Sequence, residues 1–164
     1  MPDRPAFSYR PIGIIHSPFQ QMSGTPIQPV FARGVQGRVE VFEDYAEGLS
    51  DLELFSHIYL LFHFDRAGPG SLRCTPYLDS RPRGVFATRA PRRPNGLGLS
   101  IVHLLGREGG TLRVEDIDVL DGTPLLDIKP YVPRFDARGD ASNGWLEHAA
   151  PDAGGNRADG RFEG

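Results

Sequence analysis

Four arginines lie close together in the segment RGVFATRAPRRPNGLGLS, which runs from residue 83 to residue 100: Arg83, Arg89, Arg92 and Arg93. No acidic residue occurs between Asp79 and Glu108, although the whole chain has a formal charge of −3. The prolines among the arginines restrict the backbone, and a guanidinium can donate two hydrogen bonds to one carboxylate or phosphate. The segment therefore predicts either a loop that binds an anionic ligand or a solvated basic loop.

A second segment with candidate chemistry is VLDGTPLLDIKPY, Val119 to Tyr131. Asp121 precedes a glycine, which is typical of a structural turn. Asp127 interrupts an apolar run, and Lys129 lies two residues further on, on the same face of a strand. The pair is either a structural salt bridge or part of a catalytic site.

Three polar residues, His57, His63 and Asp65, share one face of a predicted strand. Isolated histidines in apolar strands are usually structural, and no pair of histidines has the spacing of a metal site. The sequence also contains no GxSxG elbow, P-loop or GxGxxG motif that opens a helix. We therefore expect no metal and no hydrolase triad.

The composition is that of one globular domain, with 164 residues of which 39% are hydrophobic. The 20 glycines and 15 prolines favour short elements joined by tight turns. A single cysteine rules out an internal disulfide. The longest apolar run, residues 58 to 64, is too short to span a membrane, and the first residues do not resemble a signal peptide. We expect a cytoplasmic protein.

Short apolar or alternating runs, bounded by turn residues, predict strands at residues 10–16, 36–42, 55–64, 85–88, 99–105, 112–119 and 125–128. A short helical turn is expected within residues 45–54, and long loops at residues 18–35 and 66–83. Strands at this spacing, with no helices between them, indicate an all-β, mainly antiparallel barrel or sandwich. Residues 137–164 form a polar tail that we expect to be disordered from about residue 149, with Trp145 docked on the barrel or on a second subunit.

Four blocks resemble the TsaA-like (TrmO) family, in the family's order: PIGIIHSPF, FSHIYLLFHF, GVFATRAPRRPN followed by GLS, and LDGTPLLDIKPY. The resemblance covers residues 8–136. It implies that residues 1–136 form a single-sheet β-barrel domain that dimerises and binds S-adenosylmethionine. It also implies methylation of N6 of N6-threonylcarbamoyladenosine, beside the anticodon of threonine tRNA.

The resemblance also implies site residues. Cofactor-binding residues would be Pro29, Val30, Phe31, Asp65, Arg66, Arg89, Leu99, Val119, Leu120, Asp121 and Gly122. The arginines Arg92 and Arg93 would face the substrate, together with Asn95. We expect Asp127 to accept a proton, with Lys129 and Tyr131 beside it, because DIKPY resembles the acidic-Pro-Tyr motif of unrelated adenine-N6 methyltransferases.

The chain departs from the family pattern at two signature positions, where Arg92 replaces a histidine and Gly96 replaces a proline. We expect Asn95–Gly96 to adopt a backbone with positive φ and more flexibility. The longer bacterial members carry a C-terminal domain that helps to hold tRNA, whereas this chain ends after its polar tail. Two alternatives therefore stay open: a methyltransferase of the same fold acting on a small molecule, and a non-catalytic module that binds the cofactor or RNA.

Overall fold

Six antiparallel strands close into a barrel. The computed structural model describes residues 4–149 and 156–163. The barrel strands are β1 (Gly13–His16), β2 (Gln36–Val41), β3 (His57–His63), β6 (Leu97–Glu108), β7 (Thr111–Glu115) and β8 (Thr123–Pro130). Their order around the barrel is β1-β2-β7-β6-β3-β8. Two further strands, β4 (Arg73–Cys74) and β5 (Arg83–Gly84), form a small separate ribbon. The all-β barrel predicted from the sequence is confirmed.

The barrel core follows from the alternation of apolar and polar residues along each strand. Inward-facing side chains such as Ile15, Val39, Leu60, Val102 and Leu112 are completely buried. Successive strand residues point to opposite faces of a sheet, so their neighbours face outward. On β6 the outward positions are themselves partly apolar, a feature that matters for the site.

Short helices occupy the connections. Five are 3-10 helices: Pro29–Phe31, Glu43–Leu49, Leu52–Leu54, Val85–Ala87 and Gly144–His148. One α-helical turn, α1, covers Pro133–Asp136. No helix among the described residues is both long and apolar enough to cross a membrane.

Three strand predictions differ from the structure. Residues 85–88 form a 3-10 turn instead of a strand, because the Thr88 hydroxyl donates to the Val85 carbonyl and closes the turn. The strand predicted over 112–119 ends at Glu115, since Asp116 takes a positive φ of 68°. Strand β6 is longer than predicted and runs into a hairpin at Gly109, whose φ of 59° suits glycine.

The last described residues, 156–163, pack on the two long loops. Ala158 exchanges backbone hydrogen bonds with the first loop, at Gly24 and Thr25, and the Phe162 ring is buried. The expectation of disorder from about residue 149 is therefore wrong for 156–163, because the Phe162 ring and the backbone bonds of Ala158 anchor this part of the tail. Residues 150–155 lie outside the described residues.

Candidate functional site

An open groove of about 1460 Å³ lies between strands β3 and β6 of the barrel and the two long loops. Small-molecule sites usually measure about 300–1,000 Å³, so the groove has room for two reactants. Its barrel wall contains Phe62, Phe64, Leu97 and Leu99, all apolar. The 3-10 turn Pro29–Phe31 forms the facing wall. Such walls suit a flat, partly apolar ligand.

Arg89 joins the arginine-rich segment to the first long loop. Its Nη1 donates to the side-chain oxygen of Gln28 at 2.6 Å, directly before the Pro29–Phe31 turn. Arg89 is exposed and lines the groove, as do all three residues of the turn and Leu99. The structure thus brings together three separate parts of the predicted cofactor site.

Asp65 and Arg66 line the same groove and lie beside the LDGT turn. The Arg66 guanidinium donates to the Asp121 carbonyl at 2.6 Å, and its Nε lies 3.8 Å from the Asp65 carboxylate. Val119 and Leu120 line the groove as well. Gly122 has a φ of 80°, which the turn requires.

The Asp121 carboxylate has a structural role in this turn. It accepts hydrogen bonds from the Ser17 amide at 3.1 Å and from the Gln20 side chain at 3.3 Å. The bond from Ser17 is the main cause of its lowered pKa. The Asp121 carboxylate thus points to the start of the first long loop. The groove is lined by Val119 and Leu120, which precede Asp121 in the sequence.

The other two arginines of the segment bind main-chain carbonyls. Arg93 Nη1 donates to the carbonyls of Val85, Thr88 and Ala90 at 3.2, 2.9 and 3.2 Å. Arg92 donates to the carbonyls of Phe162 and Glu163 in the C-terminal segment. Both guanidiniums are therefore bound to the backbone of the protein itself, and the expectation that they contact the substrate stays a prediction.

Asn95 and Gly96 do not adopt the positive φ expected of them. The reason for a small residue at 96 is steric, because a Cβ there would lie 3.3 Å from the His63 ring. Asn95 is exposed at the start of β6. Its proposed contact with substrate stays a prediction.

Asp127, Lys129 and Tyr131 lie outside the groove, on the outer face of the barrel. Lys129 Nζ lies 3.6 Å from the Asp127 carboxylate, and both side chains are at least half exposed. The Tyr131 ring packs edge-on against Tyr59, whose side chain lines the groove, at 5.6 Å. The expected salt bridge is present, whereas the catalytic role of these three residues stays a prediction.

Asp118, which the sequence did not indicate as a site residue, is a partly buried carboxyl in the groove wall. Ser100 Oγ donates to its Oδ1 at 2.7 Å. Burial raises the pKa of Asp118 to about 7, against the opposing effects of Ser100 and Arg89. The signal in the sequence was an acidic residue between two apolar ones, Ile117 and Val119, just before the LDGT turn.

Two aromatic side chains complete the surroundings of the groove. Trp145 Nε1 donates to the Ala87 carbonyl at 2.8 Å, and Arg83 stacks over the indole ring. Trp145 is therefore docked on the arginine-rich segment, and Phe162 lines the groove from the C-terminal segment. In the described parts of the chain, no three His, Cys, Asp or Glu side chains are grouped to hold a metal.

The chain is similar to known proteins in sequence and in fold. The model of the tRNA-methyltransferase O N-terminal domain matches residues 14–137. A probable S-adenosyl-L-methionine-binding protein of Pyrococcus abyssi is 54% identical over 154 residues, which are 94% of this chain and 84% of that protein.

Proteins whose names state an activity are also similar. The tRNA (adenine(37)-N6)-methyltransferase of Escherichia coli is 36% identical over 88% of this chain and 66% of its own length. A crystal structure of TrmO from Pseudomonas aeruginosa superposes with a TM-score of 0.76 at 44% identity, over 92% of this chain and 66% of that one. The chain therefore belongs to the tRNA-methyltransferase O N-terminal domain family.

Proposed function

We propose that the protein is an S-adenosylmethionine-dependent methyltransferase that acts on N6 of an adenine in tRNA. The observation that carries the proposal is the groove, where the apolar walls, Arg89 and the LDGT turn meet. The relative from Pyrococcus abyssi is named as a probable protein that binds this cofactor, and the relative from Escherichia coli is named for this reaction.

The chemistry of the groove fits the cofactor. Arg89 can pair with a carboxylate, and Asp65 can accept bonds from an ammonium or from ribose hydroxyls. Backbone groups of Val119 and Leu120 can bond an adenine edge, while Leu99 and Phe31 supply apolar contact. We propose these residues, with Pro29, Val30, Arg66 and the turn formed by Asp121 and Gly122, as the cofactor site.

The cofactor supplies a methyl group on a sulfonium, which is a good leaving group. The protein has to hold the acceptor nitrogen in line with the methyl carbon and to accept a proton. Alignment of this kind lowers a barrier by about 7–11 kcal/mol in favourable cases. The volume of the groove supports binding of a nucleoside beside the cofactor.

For the acceptor, we propose N6-threonylcarbamoyladenosine in threonine tRNA. The resemblance of the sequence blocks supports this choice, and the base carries a carboxylate that an arginine could bind. Arg33 is exposed and lines the groove. It could pair with that carboxylate or with a phosphate.

We also propose a homodimer. Leu97, Leu99 and Ile101 point outward from β6, are 48%, 56% and 37% exposed, and line the groove, so a second chain on this surface would adjoin the proposed cofactor site. A contiguous apolar surface of this kind is typical of an interface. Sedimentation at micromolar concentration should give the mass of two chains, and a single monomer would contradict the proposal.

The function is tested by transfer of radiolabelled methyl groups. We expect label in threonine tRNA that carries the threonylcarbamoyl group and none in the same transcript without it. Label in small metabolites only would favour a small-molecule methyltransferase. Binding of the cofactor by calorimetry without transfer to any acceptor would favour a non-catalytic module.

The cofactor site has its own test. Arg89→Ala should weaken S-adenosylmethionine binding at least tenfold in calorimetry, because the groove loses its exposed arginine beside Gln28. Arg81→Ala, at an exposed arginine outside the groove, should bind as the unchanged protein does. Equal affinities for all three proteins would mean that the cofactor binds elsewhere.

A further inference from the structure

We propose that Asp118 accepts the proton released from the acceptor nitrogen, with Ser100 as its positioning residue. The inference rests on the proposed methyltransferase function and names a residue for a step that the sequence analysis assigned to Asp127. It is carried by the position of the Asp118 carboxyl in the groove wall and by its hydrogen bond to Ser100.

The backbone fixes where this carboxyl lies. Ile117 is completely buried and Val119 is 4% exposed, so the chain is anchored on both sides of Asp118. Ser100 is 3% exposed and comes from β6, a different element that also lines the groove. A side chain held from two elements in this way is pre-organised.

The carboxyl keeps capacity to bind a ligand. The Ser100 hydroxyl uses Oδ1, and the Asp118 backbone amide also bonds the carboxyl. Among the described residues no side chain bonds the second oxygen, Oδ2, so Oδ2 can accept a proton from a group in the groove. The nearest charged influence is Arg89, and Asp116, two residues away, binds the Gly34 amide at 2.9 Å.

The protonation state suits the step. With its pKa raised to about 7 by burial, Asp118 is ionised in a large fraction of molecules at neutral pH. A general base works best with a pKa near the working pH. It can take up the proton and release it to water in the next cycle.

The other carboxylates near the groove are less suited. Asp65 is exposed and lies against Arg66, and Asp127 is paired with Lys129 outside the groove. The hydrogen bond from the Ser17 amide lowers the pKa of Asp121, which makes that carboxylate a weaker base. Asp118 lies in the groove wall, and burial raises its pKa.

The N6 lone pair forms a bond to the methyl carbon while the bond from sulfur to that carbon breaks. The sulfur keeps the electron pair and leaves as the neutral thioether, S-adenosylhomocysteine. The N6 proton passes to Oδ2 of Asp118, so that the product is the neutral methylated base.

The test compares variants by single-turnover methyl transfer to the tRNA that the unchanged protein methylates, with the cofactor at saturation. Asp118→Asn keeps the size of the side chain and an oxygen for Ser100. We expect it to lower the rate about 100-fold or more, while the Kd for S-adenosylmethionine changes less than threefold. Asp140→Asn, an exposed residue outside the groove, is the control and should keep the full rate.

The pH dependence separates catalysis from structure. The rate of the unchanged protein should rise with pH through an apparent pKa near 7, because only the ionised carboxyl accepts a proton. The residual rate of Asp118→Asn should not show this rise, which is the acidic limb of the pH–rate profile. Ser100→Ala should move that limb to higher pH, because the hydroxyl stabilises the carboxylate.

Three results would overturn the inference. Asp118→Asn could transfer methyl at the full rate, or it could lose cofactor affinity alone and recover its rate at saturation. Asp127→Asn could remove the pH limb in its place. If the unchanged protein methylates no tRNA, the proposed function fails together with this inference. Calorimetry then shows whether the protein binds S-adenosylmethionine without transferring its methyl group.

Discussion

Asp118 and Asp127 have similar sequence contexts, since each lies between two apolar residues. The structure gives them different surroundings: Asp118 lies in the groove wall against Ser100, and Asp127 lies on the outer face against Lys129. The spacing of Asp127 and Lys129 was enough to predict their ion pair. No local pattern distinguishes the two carboxylates, because Ser100 comes from a strand distant in sequence.

Asp118 should make folding stability depend on pH. Its folded pKa of about 7 lies above the ordinary 3.8, so between these values the folded state binds more protons than the unfolded state, and stability falls as pH rises. Relative to Asp118→Asn, the unchanged protein should lose up to about 4 kcal/mol between pH 4 and pH 8. Urea unfolding of both proteins at the two pH values measures this, and an equal dependence on pH would contradict it.

Arg93 is expected to support the fold of the arginine-rich segment. Arg93→Ala removes the donor for the carbonyls of Val85, Thr88 and Ala90, and should lower the free energy of unfolding by about 2–4 kcal/mol. The matched change Arg81→Ala, at an exposed arginine, should cost less than about 0.5 kcal/mol. Urea unfolding compares the two, and equal effects would show that these bonds contribute nothing.

The barrel strands could be predicted from the sequence, whereas the loops that connect them could not. Alternation located β2, and short apolar runs bounded by turn residues located β1, β3 and β8, each to within a few residues. The turn at Val85–Ala87 was predicted wrongly, because bonds from Thr88 and Arg93, not periodicity, determine its shape. The groove is built mainly from such loops, so its residues were reached through resemblance to a family.

The C-terminal segment 156–163 holds the two long loops together. The Gly24 amide donates to Ala158 and the Ile27 amide to Asn156, while Arg161 donates to the Pro76 carbonyl in the second loop. Both loops line the groove. We infer that this segment keeps the groove in shape.

Removing residues 156–164 should therefore loosen the loops and leave the barrel intact. The amides of Gly24 and Ile27 should exchange with deuterium at least tenfold faster, because they lose their acceptors. The Ile12 amide, which donates to Leu125 within the barrel, is the internal control and should not change. Unchanged exchange at Gly24 and Ile27 would show that the segment does not order the loop.

At the scale of the whole molecule, the fold and the family follow from different kinds of information. The spacing of short strands predicts an antiparallel β-barrel or sandwich, the family resemblance implies the barrel, and the structure confirms a closed barrel. Barrels of this type host unrelated functions, so the fold alone does not define the reaction. The function proposed here depends on the groove, where distant segments bring Arg89, the LDGT turn and Asp118 together.

The most direct test of the account is mass spectrometry of nucleosides from tRNA incubated with the protein and S-adenosylmethionine. The tRNA should be threonine tRNA that carries N6-threonylcarbamoyladenosine. We expect one added methyl group on N6 of that nucleoside. With the Arg89→Ala variant in place of the unchanged protein, and with the cofactor at a limiting concentration, this methyl group should be absent. An unmethylated nucleoside, with binding of the cofactor verified by calorimetry, would contradict the proposed substrate.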